Sequence, residues 1–214
     1  MPLPMVHLAV AIQVRAGRND AFLPSYLLGS IAPDAIHVRP DAGEKEKHRV
    51  HLRSSSKSLE LPRLQQLLAR YWPQAPEMAE FAEGYAVHLL TDRRWIASVY
   101  PTFYEKLPAD MTHAERRALY YQETDQIDFN LYHHTPWRVE AWEQISCARP
   151  VDFDNFLTAD ELAQWQARVL NWFGGMKQEP GICPHYITDA LVKQFIAQAA
   201  EEIRGTLTAW KGLV

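Results

Sequence analysis

The sequence predicts an all-α, single-domain protein, a multi-helix bundle over residues 1–214. Apolar residues recur at intervals of three and four along most of the chain, which is the spacing of one helix face. Capping residues stand at the start of several of these segments. No segment alternates apolar and polar residues as a half-buried strand does, and there is no internal repeat. A packed helical bundle accounts for all three observations.

The composition limits the classes of function. Hydrophobic residues make up 47% of the chain, which is enough for a substantial core, and the net charge of -4 gives no reason to expect a nucleic-acid-binding surface. There is no transmembrane pattern and no signal-peptide pattern, so we expect a cytoplasmic protein. Cys147 and Cys183 are the only cysteines and are expected to be reduced thiols. Any metal site must therefore use nitrogen and oxygen ligands.

Two helices are predicted before residue 40. Residues 5–15 are strongly apolar and fit a short helix. A second helix follows through FLPSYLLG, with Asp20 as its N-cap and Gly29 at its end. Pro33 fixes the backbone after it and disfavours helix at the preceding residue. We therefore expect a stiff turn here, followed by a polar, locally basic loop over residues 39–57.

The later helices are predicted from periodicity and caps. Apolar spacing indicates helices over residues 59–72 and 76–100, and a connector between Pro101 and Pro108. Three further long helices are each preceded by a threonine that can cap the first turn, and Gly174-Gly175 is expected to end the second of them. These threonines are Thr112, Thr158 and Thr188. A short helix over residues 137–145 lies between the first two.

The segment GYAVHLLTDRRW, residues 84–95, carries the strongest candidate chemistry. In a helix His88 and Asp92 share a face, and Gly84 lies one turn earlier on it. A histidine and a carboxylate on an apolar helix form half of a metal site in some bundles and a buried ion pair in others. The segment alone leaves both interpretations open. Residues on the opposite side are expected in the core: Val87, Leu90 and Ile96.

Other candidate residues are spread along the chain. His7 in the first helix is either a ligand or a satisfied core histidine, and Asp34 after the stiff turn is either a ligand or a cap. His48 and His51 lie in the basic segment, which is either solvated surface or suited to a phosphate-bearing substrate. Glu123, in the helix that begins after Thr112, is the acid most expected to face inward, as a further ligand or as a general base.

Taken together, these candidates form a nitrogen and oxygen ligand set that suits Zn²⁺ or a comparable divalent ion. A set without cysteine favours a catalytic site, because structural zinc is mostly bound by thiolates. Paired metals suit phosphoester cleavage. The chain has no G-x-S-x-G, no glycine-rich phosphate loop and no H-E-x-x-H that would indicate another chemistry.

The blocks FLPSYLLGSIAPDA and GYAVHLLTDRRW, in this order, resemble the zinc-dependent phospholipase C family, whose fold is similar to that of the S1/P1 nucleases. The resemblance covers roughly the first half of the chain. It implies a metal site built from a histidine of the first helix, an aspartate after the second, a loop histidine and an HxxxD helix. The matching metal ligands here are His7, Asp34, His51, His88 and Asp92.

The resemblance also bears on the choice of the loop histidine and on the expected number of ions. His51 is preferred over His48 because an apolar residue follows it, as in the family. The chain begins Met1-Pro2 with no leader, and the family's later His–His–Glu series has no match. We therefore expect one or two ions rather than three, in a cytoplasmic subgroup of hydrolases.

The expected function is a metal-dependent hydrolase of a small-molecule phosphoester, acting through a metal-activated water with Asp34 or Glu123 as the general base. The alternative is a non-catalytic helical module. In that case the same residues form a structural ion site or a buried polar network, and the aromatic-rich second half binds a protein partner. An HD-type nucleotide phosphohydrolase also pairs histidine and aspartate on helices, but its adjacent His-Asp dipeptide is absent.

Overall fold

The computed structural model describes residues 2–18, 23–172 and 179–213. Over these residues every regular element is helical, apart from one isolated β-bridge between Phe153 and Leu157, so the all-α class is confirmed. Two short 3₁₀ segments, Ala32–Val38 and Lys57–Leu59, join the helices. The α-helices are α1 Pro4–Val14, α2 Pro24–Ile31, α3 Glu44–Val50, α4 Glu60–Tyr71, α5 Pro76–Ala97, α6 Val99–Lys106, α7 His113–His134, α8 Arg138–Cys147, α9 Ala159–Trp172 and α10 Asp189–Lys211.

Helix α5 lies at the centre of the bundle. It packs most extensively against α2 and also contacts α1, α4, α6 and α10. Its large side chains Phe81, Tyr85 and Trp95 are fully buried, and the Trp95 indole N–H donates to the hydroxyl of Tyr120 on α7 (2.8 Å). Residues 81–92 of α5 are all buried, so the polar groups in this stretch are enclosed by other helices.

Two glycines allow α2 and α5 to cross with their backbones in contact. A Cβ atom at Gly84 would lie 2.0 Å from the carbonyl oxygen of Tyr26, and one at Gly29 would lie 2.2 Å from that of Phe81. The prediction that Gly29 ends the second helix was wrong, because the helix continues to Ile31. The glycine is required for the close approach rather than for a C-cap.

The polar segment predicted as a loop contains a helix. Helix α3 begins after Gly43, whose backbone N–H donates to the Glu46 carboxylate (3.1 Å). Acidic residues occupy its first turn and basic residues its last, which complements the helix dipole. The many charges hid this helix, because they leave no apolar stripe to count. His51 follows directly as the C-cap residue.

The predicted connector between Pro101 and Pro108 was also wrong. Helix α5 ends at Ala97, before the predicted end at residue 100, and α6 occupies most of the connector. Pro101 lies in the first turn of α6, where its missing N–H breaks no helical hydrogen bond. A proline near a helix start was thus mistaken for a proline that ends one.

The helix starts predicted at threonines are confirmed. Each hydroxyl accepts a hydrogen bond of 3.2–3.3 Å from the backbone N–H three residues later: Thr112, Thr158 and Thr188. Two predicted boundaries, Asp20 and Gly174-Gly175, lie outside the described residues. Cys147 and Cys183 are free and exposed. Within the described ranges, no helix combines the length and the apolar content needed to cross a membrane.

Candidate metal centre

The structure brings the five predicted ligands together in one buried group, which we call the His/Asp cluster. Helix α1, the 3₁₀ segment after α2, the residue after α3 and helix α5 contribute to it. All five side chains belong to residues that are at most 8% exposed: His7, Asp34, His51, His88 and Asp92. Two sets of three residues, His7–His88–Asp92 and Asp34–His51–His88, each place their potential ligand atoms within 4.8 Å of one another. The cluster is therefore able to hold a metal ion.

Backbone carbonyls fix the orientation of two of the imidazoles. Nδ1 of His88 donates to the carbonyl of Ser30 (2.9 Å), and Nδ1 of His51 donates to the carbonyl of Lys47 (3.0 Å). Because a carbonyl only accepts, each Nδ1 must carry the proton, and Nε2 of the neutral ring keeps its lone pair. Both Nε2 atoms belong to the cluster. Metal-binding histidines are commonly oriented by this kind of hydrogen bond.

The atoms that face one another across the cluster lack hydrogen-bond partners among the described residues. They are both ring nitrogens of His7, Oδ1 of Asp34, Nε2 of His51 and His88, and both carboxylate oxygens of Asp92. Leaving a buried polar group unpaired costs about 1–3 kcal/mol. So many unpaired atoms in one place indicate a missing common partner, and a cation is the partner that both carboxylate oxygens and imidazole lone pairs accept.

The distances between these atoms also suit a shared ion. His7 Nε2 lies 3.6 Å from Asp92 Oδ1, and His51 Nε2 lies 3.6 Å from Asp34 Oδ1 and 3.9 Å from Asp92 Oδ2. These separations are too long for hydrogen bonds. Ligand atoms about 2.0–2.1 Å from a zinc ion are separated by roughly 3.3 Å in a tetrahedron. The cluster is therefore only slightly wider than a coordination sphere.

Two histidines are held in their neutral form. The rings of His7 and His88 stack with centroids 3.7 Å apart and planes 5° from parallel. Burial, and then the neighbouring His88, lowers the pKa of His7 well below its ordinary value, and burial lowers the pKa of His88. Two cationic rings in this stack would repel each other. Neutral rings are the form that binds metal.

The two aspartates of the cluster favour positive charge between them, whereas burial favours neutral histidine rings. Burial alone would raise the pKa of Asp34, but His88 and His51 outweigh it and hold that pKa well below its usual range. Burial would lower the pKa of His51, yet Asp34 and Asp92 raise it instead. Burial raises the pKa of Asp92, which is less exposed than Asp34. The space between the two aspartates therefore favours positive charge.

Glu123, predicted as a ligand or general base, is engaged elsewhere. Its carboxylate accepts four hydrogen bonds of 2.7–3.2 Å from the backbone N–H groups of residues 185–187, and neither set of potential ligands includes it. The side chain is buried as expected. Its hydrogen bonds anchor the segment that leads into α10.

Two residues near the cluster were not singled out in the sequence. Nε2 of His37 lies 3.8 Å from Oδ1 of Asp34, and Nη2 of Arg53 lies 3.9 Å from Oδ2 of Asp92. His37 had a detectable signal, because residues three apart are eclipsed in a 3₁₀ helix. For Arg53 the sequence offered no signal except that its segment is basic.

A cavity of about 430 Å³ adjoins the cluster. His51 and Asp92 form part of its wall, together with three cationic side chains: Arg53, Lys57 and Arg93. Ile96 also lines it, with 42% of the residue exposed, so the prediction that Ile96 is a core residue was wrong. A larger cavity of about 540 Å³, lined by Arg15, Trp72 and Lys211 among others, contains no residue of the cluster.

Searches against family models, curated proteins and solved structures found no match to this chain. The resemblance to the zinc-dependent phospholipase C family therefore stays a prediction. The argument that the cluster can bind a metal is supported by the geometry and the unpaired atoms of the cluster itself.

Proposed function

We propose that this protein is a metal-dependent hydrolase of phosphoesters. The observation that carries the proposal is the buried His/Asp cluster, whose unpaired nitrogen and oxygen atoms adjoin a cavity lined by cations. Zinc is the ion best suited to imidazole and carboxylate ligands without thiolate. The proposal is for one or two ions. Both sets of three include His88, whose single free nitrogen can bind an ion in only one of them.

Each residue of the cluster has a role in this proposal. His88 and His51 would hold the ion with rings already oriented by backbone carbonyls, together with His7 and Asp92. When bound, the ion would supply Lewis-acid chemistry and activate water near neutral pH. Asp34 is ionised at neutral pH because the neighbouring histidines keep its pKa low. In this proposal its carboxylate, which belongs to the cluster, is the general base.

The cavity supplies binding and orientation. Its wall carries three cationic side chains and the acids Glu60 and Asp92, and Glu60 pairs with Arg93 at 3.0 Å, so the net charge is positive and favours an anionic group beside the cluster. In hydrolysis a bond forms between phosphorus and the water oxygen, and the ester P–O bond breaks. One proton from water is transferred to the departing alcohol oxygen. Asp34 lies at the cluster, where it can carry this proton.

Metal analysis combined with activity tests this proposal. After zinc or manganese loading, the natural protein should retain one or two ions per chain and cleave members of a panel of phosphomonoesters, phosphodiesters and phospholipids. His88→Ala should lose both properties, and Asp92→Asn should weaken metal binding with less change in packing. His48→Ala is the matched control, because His48 is exposed and lies outside the cluster.

The outcomes separate the alternatives. If the natural protein contains no metal after loading while its helical circular dichroism is intact, the proposal is wrong. If it binds metal tightly but is inert toward the whole panel, the non-catalytic module with a structural ion is the better account. Circular dichroism of the variants distinguishes a lost site from a lost fold.

A further inference from the structure

We infer that His37 is a metal ligand and that it binds a second ion together with Asp34 and His51. This inference rests on the metal-binding part of the proposed function, and it adds a residue from outside the His/Asp cluster. Three observations carry it: the competition for His88, the surroundings of the Asp34 carboxylate, and the exposure of the His37 side chain.

His88 cannot serve both sets of potential ligands, because its Nδ1 donates to a backbone carbonyl and only Nε2 is left for an ion. Its ring stacks on that of His7 with planes 5° from parallel, and its ligand nitrogen lies within 4.8 Å of the ligand atoms of His7 and Asp92. By contrast, the rings of His88 and His51 are 5.8 Å apart and tilted by 59°, and His88 Nε2 is 4.0 Å from Asp34 Oδ1. We therefore assign His88 to the ion of His7 and Asp92.

Asp34 and His51 then need a third ligand, and His37 is the nearest remaining imidazole. His51 Nε2 is 3.6 Å from Asp34 Oδ1, and His37 Nε2 is 3.8 Å from the same oxygen, which has no hydrogen-bond partner among the described residues. Both separations are too long for hydrogen bonds and close to the spacing of atoms that share one ion. Two histidines and a carboxylate form a ligand set of catalytic zinc sites, which leave one position for water.

The His37 ring has to turn inward to complete this set, because its ligand nitrogen does not lie within 4.8 Å of both other ligand atoms. Its side chain is 42% exposed, and the ring makes no hydrogen bond among the described residues. Rotation about its own side-chain bonds therefore breaks no hydrogen bond. His37 and His51 line the same cavity, which provides the space for this turn and access for water.

The two ions differ in how firmly they are held. The residues His7, His88 and Asp92 are at most 4% exposed, so the first ion is bound by side chains that packing already fixes. The second ion has to order the exposed side chain of His37, which costs side-chain entropy. It therefore binds more weakly. The natural protein holds two ions in the presence of free zinc, and only the first stays firmly bound when free zinc is removed.

Calorimetric zinc titration of chelator-treated protein tests this assignment without catalysis. The natural protein should bind two ions per chain in two steps. His37→Ala should weaken the second step at least about tenfold and keep the first within about twofold, since even residues behind metal ligands commonly contribute tenfold in affinity. His48→Ala is the matched control, because His48 lines the same cavity but pairs with the exposed Glu44, and it should keep both steps. Two unchanged steps in His37→Ala, or saturation of the natural protein by one ion, would overturn the inference.

Cobalt spectroscopy of His37→Cys tests whether the side chain at this position contacts the ion. A thiolate bound to Co²⁺ gives a charge-transfer absorption band that imidazole does not give, and a purely structural role of His37 would not produce it. The band should appear with the second equivalent of Co²⁺ and be absent from the natural protein, whose two cysteines are exposed. If the second ion binds without the band, this inference is wrong while the proposed function stands. If the folded natural protein binds no ion at all, the proposed function itself fails.

Discussion

Asp128 is a buried acid of α7 that lies outside the His/Asp cluster. Its Oδ2 accepts a hydrogen bond from the backbone N–H of Met5 at the start of α1 (3.0 Å), and its Oδ1 has no partner among the described residues. Burial raises the pKa of Asp128 to about 8, against the bonds from α1 that favour the charged form. The protonated acid is therefore the stable form in the folded protein at neutral pH.

The raised pKa predicts a pH-dependent difference between the natural protein and Asp128→Asn. Because the folded pKa lies above the unfolded value of about 3.9, the folded state binds the extra proton, and its stabilising contribution is lost as the pH rises toward 8. Asparagine mimics the protonated acid at every pH. The free energy of unfolding should be similar for both proteins near pH 4 and should increasingly favour Asp128→Asn up to pH 8, by at most about 1.4 kcal/mol per unit.

Urea unfolding of metal-free protein at several pH values measures this difference, and the titration of the cluster histidines cancels between the two proteins. A constant difference across the range would show that Asp128 is ionised in the folded state.

Glu123 is predicted to act on stability rather than on metal binding. Glu123→Ala removes the acceptor for the backbone N–H groups of residues 185–187, and a hydrogen bond to a charged group makes a net contribution of about 1.5–3 kcal/mol. We expect a loss of roughly 3 kcal/mol, or about 6–12 °C in Tm for a chain of this length. Zinc stoichiometry should equal that of the natural protein. If the Glu123→Ala variant is still folded but binds no zinc, Glu123 contributes to metal binding and this prediction is wrong.

At the scale of elements, the crossing of α2 and α5 connects packing to the site. Gly84 allows the contact, and the carbonyl of Ser30 in α2 then reaches Nδ1 of His88 one turn further along α5. Gly84→Ala would place a methyl group 2.0 Å from the Tyr26 carbonyl oxygen and 2.9 Å from the Ser30 nitrogen. We expect a loss of about 3 kcal/mol or more and weaker zinc binding, because backbone must move in both helices.

Gly205→Ala is the control for that variant. Gly205 lies inside α10 with nothing within 4 Å of its Cβ position, so alanine should stabilise the helix by up to about 1 kcal/mol. Chemical unfolding and zinc titration of the two variants measure both effects. If Gly84→Ala is as stable as the natural protein, the backbone contact does not determine the position of His88.

The elements also show which parts of the fold a sequence can predict. Threonine caps are local signals, since the hydroxyl and the N–H that it accepts from lie three residues apart, and Thr112 and Thr158 were predicted on that basis. Helix α3 was missed because its stability comes from charges and a cap rather than from an apolar stripe. The end of α5 at Ala97 was missed because Pro101 permits a new helix as readily as it ends an old one.

In the candidate site, too, local relations were predictable from the sequence and distant contacts were not. His88 and Asp92 share a helix, so their pairing was visible in the sequence. Their meeting with His7 and His51 depends on tertiary packing, which the ligand types suggested and the resemblance implied but helix periodicity could not predict. The inward direction of Glu123 was predicted, but its partners are more than 60 residues away and could not be. For the same reason nothing in the sequence placed Arg53 beside Asp92.

At the scale of the whole molecule, the His/Asp cluster joins segments that are distant in the chain. Its ligands come from α1, from the 3₁₀ segment after α2, from the end of α3 and from α5. An ion bound by all of them binds only the folded protein, since the unfolded chain separates the ligands. Metal binding and stability are therefore linked, and the stabilisation grows with the logarithm of ion concentration over Kd.

This linkage predicts that removal of metal lowers thermal stability. At a free zinc concentration about 1,000 times Kd, the ion should contribute roughly 4 kcal/mol, which corresponds to about 8–16 °C in Tm. Dialysis against a chelator should remove this increment, and re-addition of zinc should restore it. The His7→Ala variant should show a smaller increment, because α1 then no longer shares the ion, while His48→Ala should match the natural protein. Equal Tm values with and without zinc would show that the five residues form a metal-free polar network.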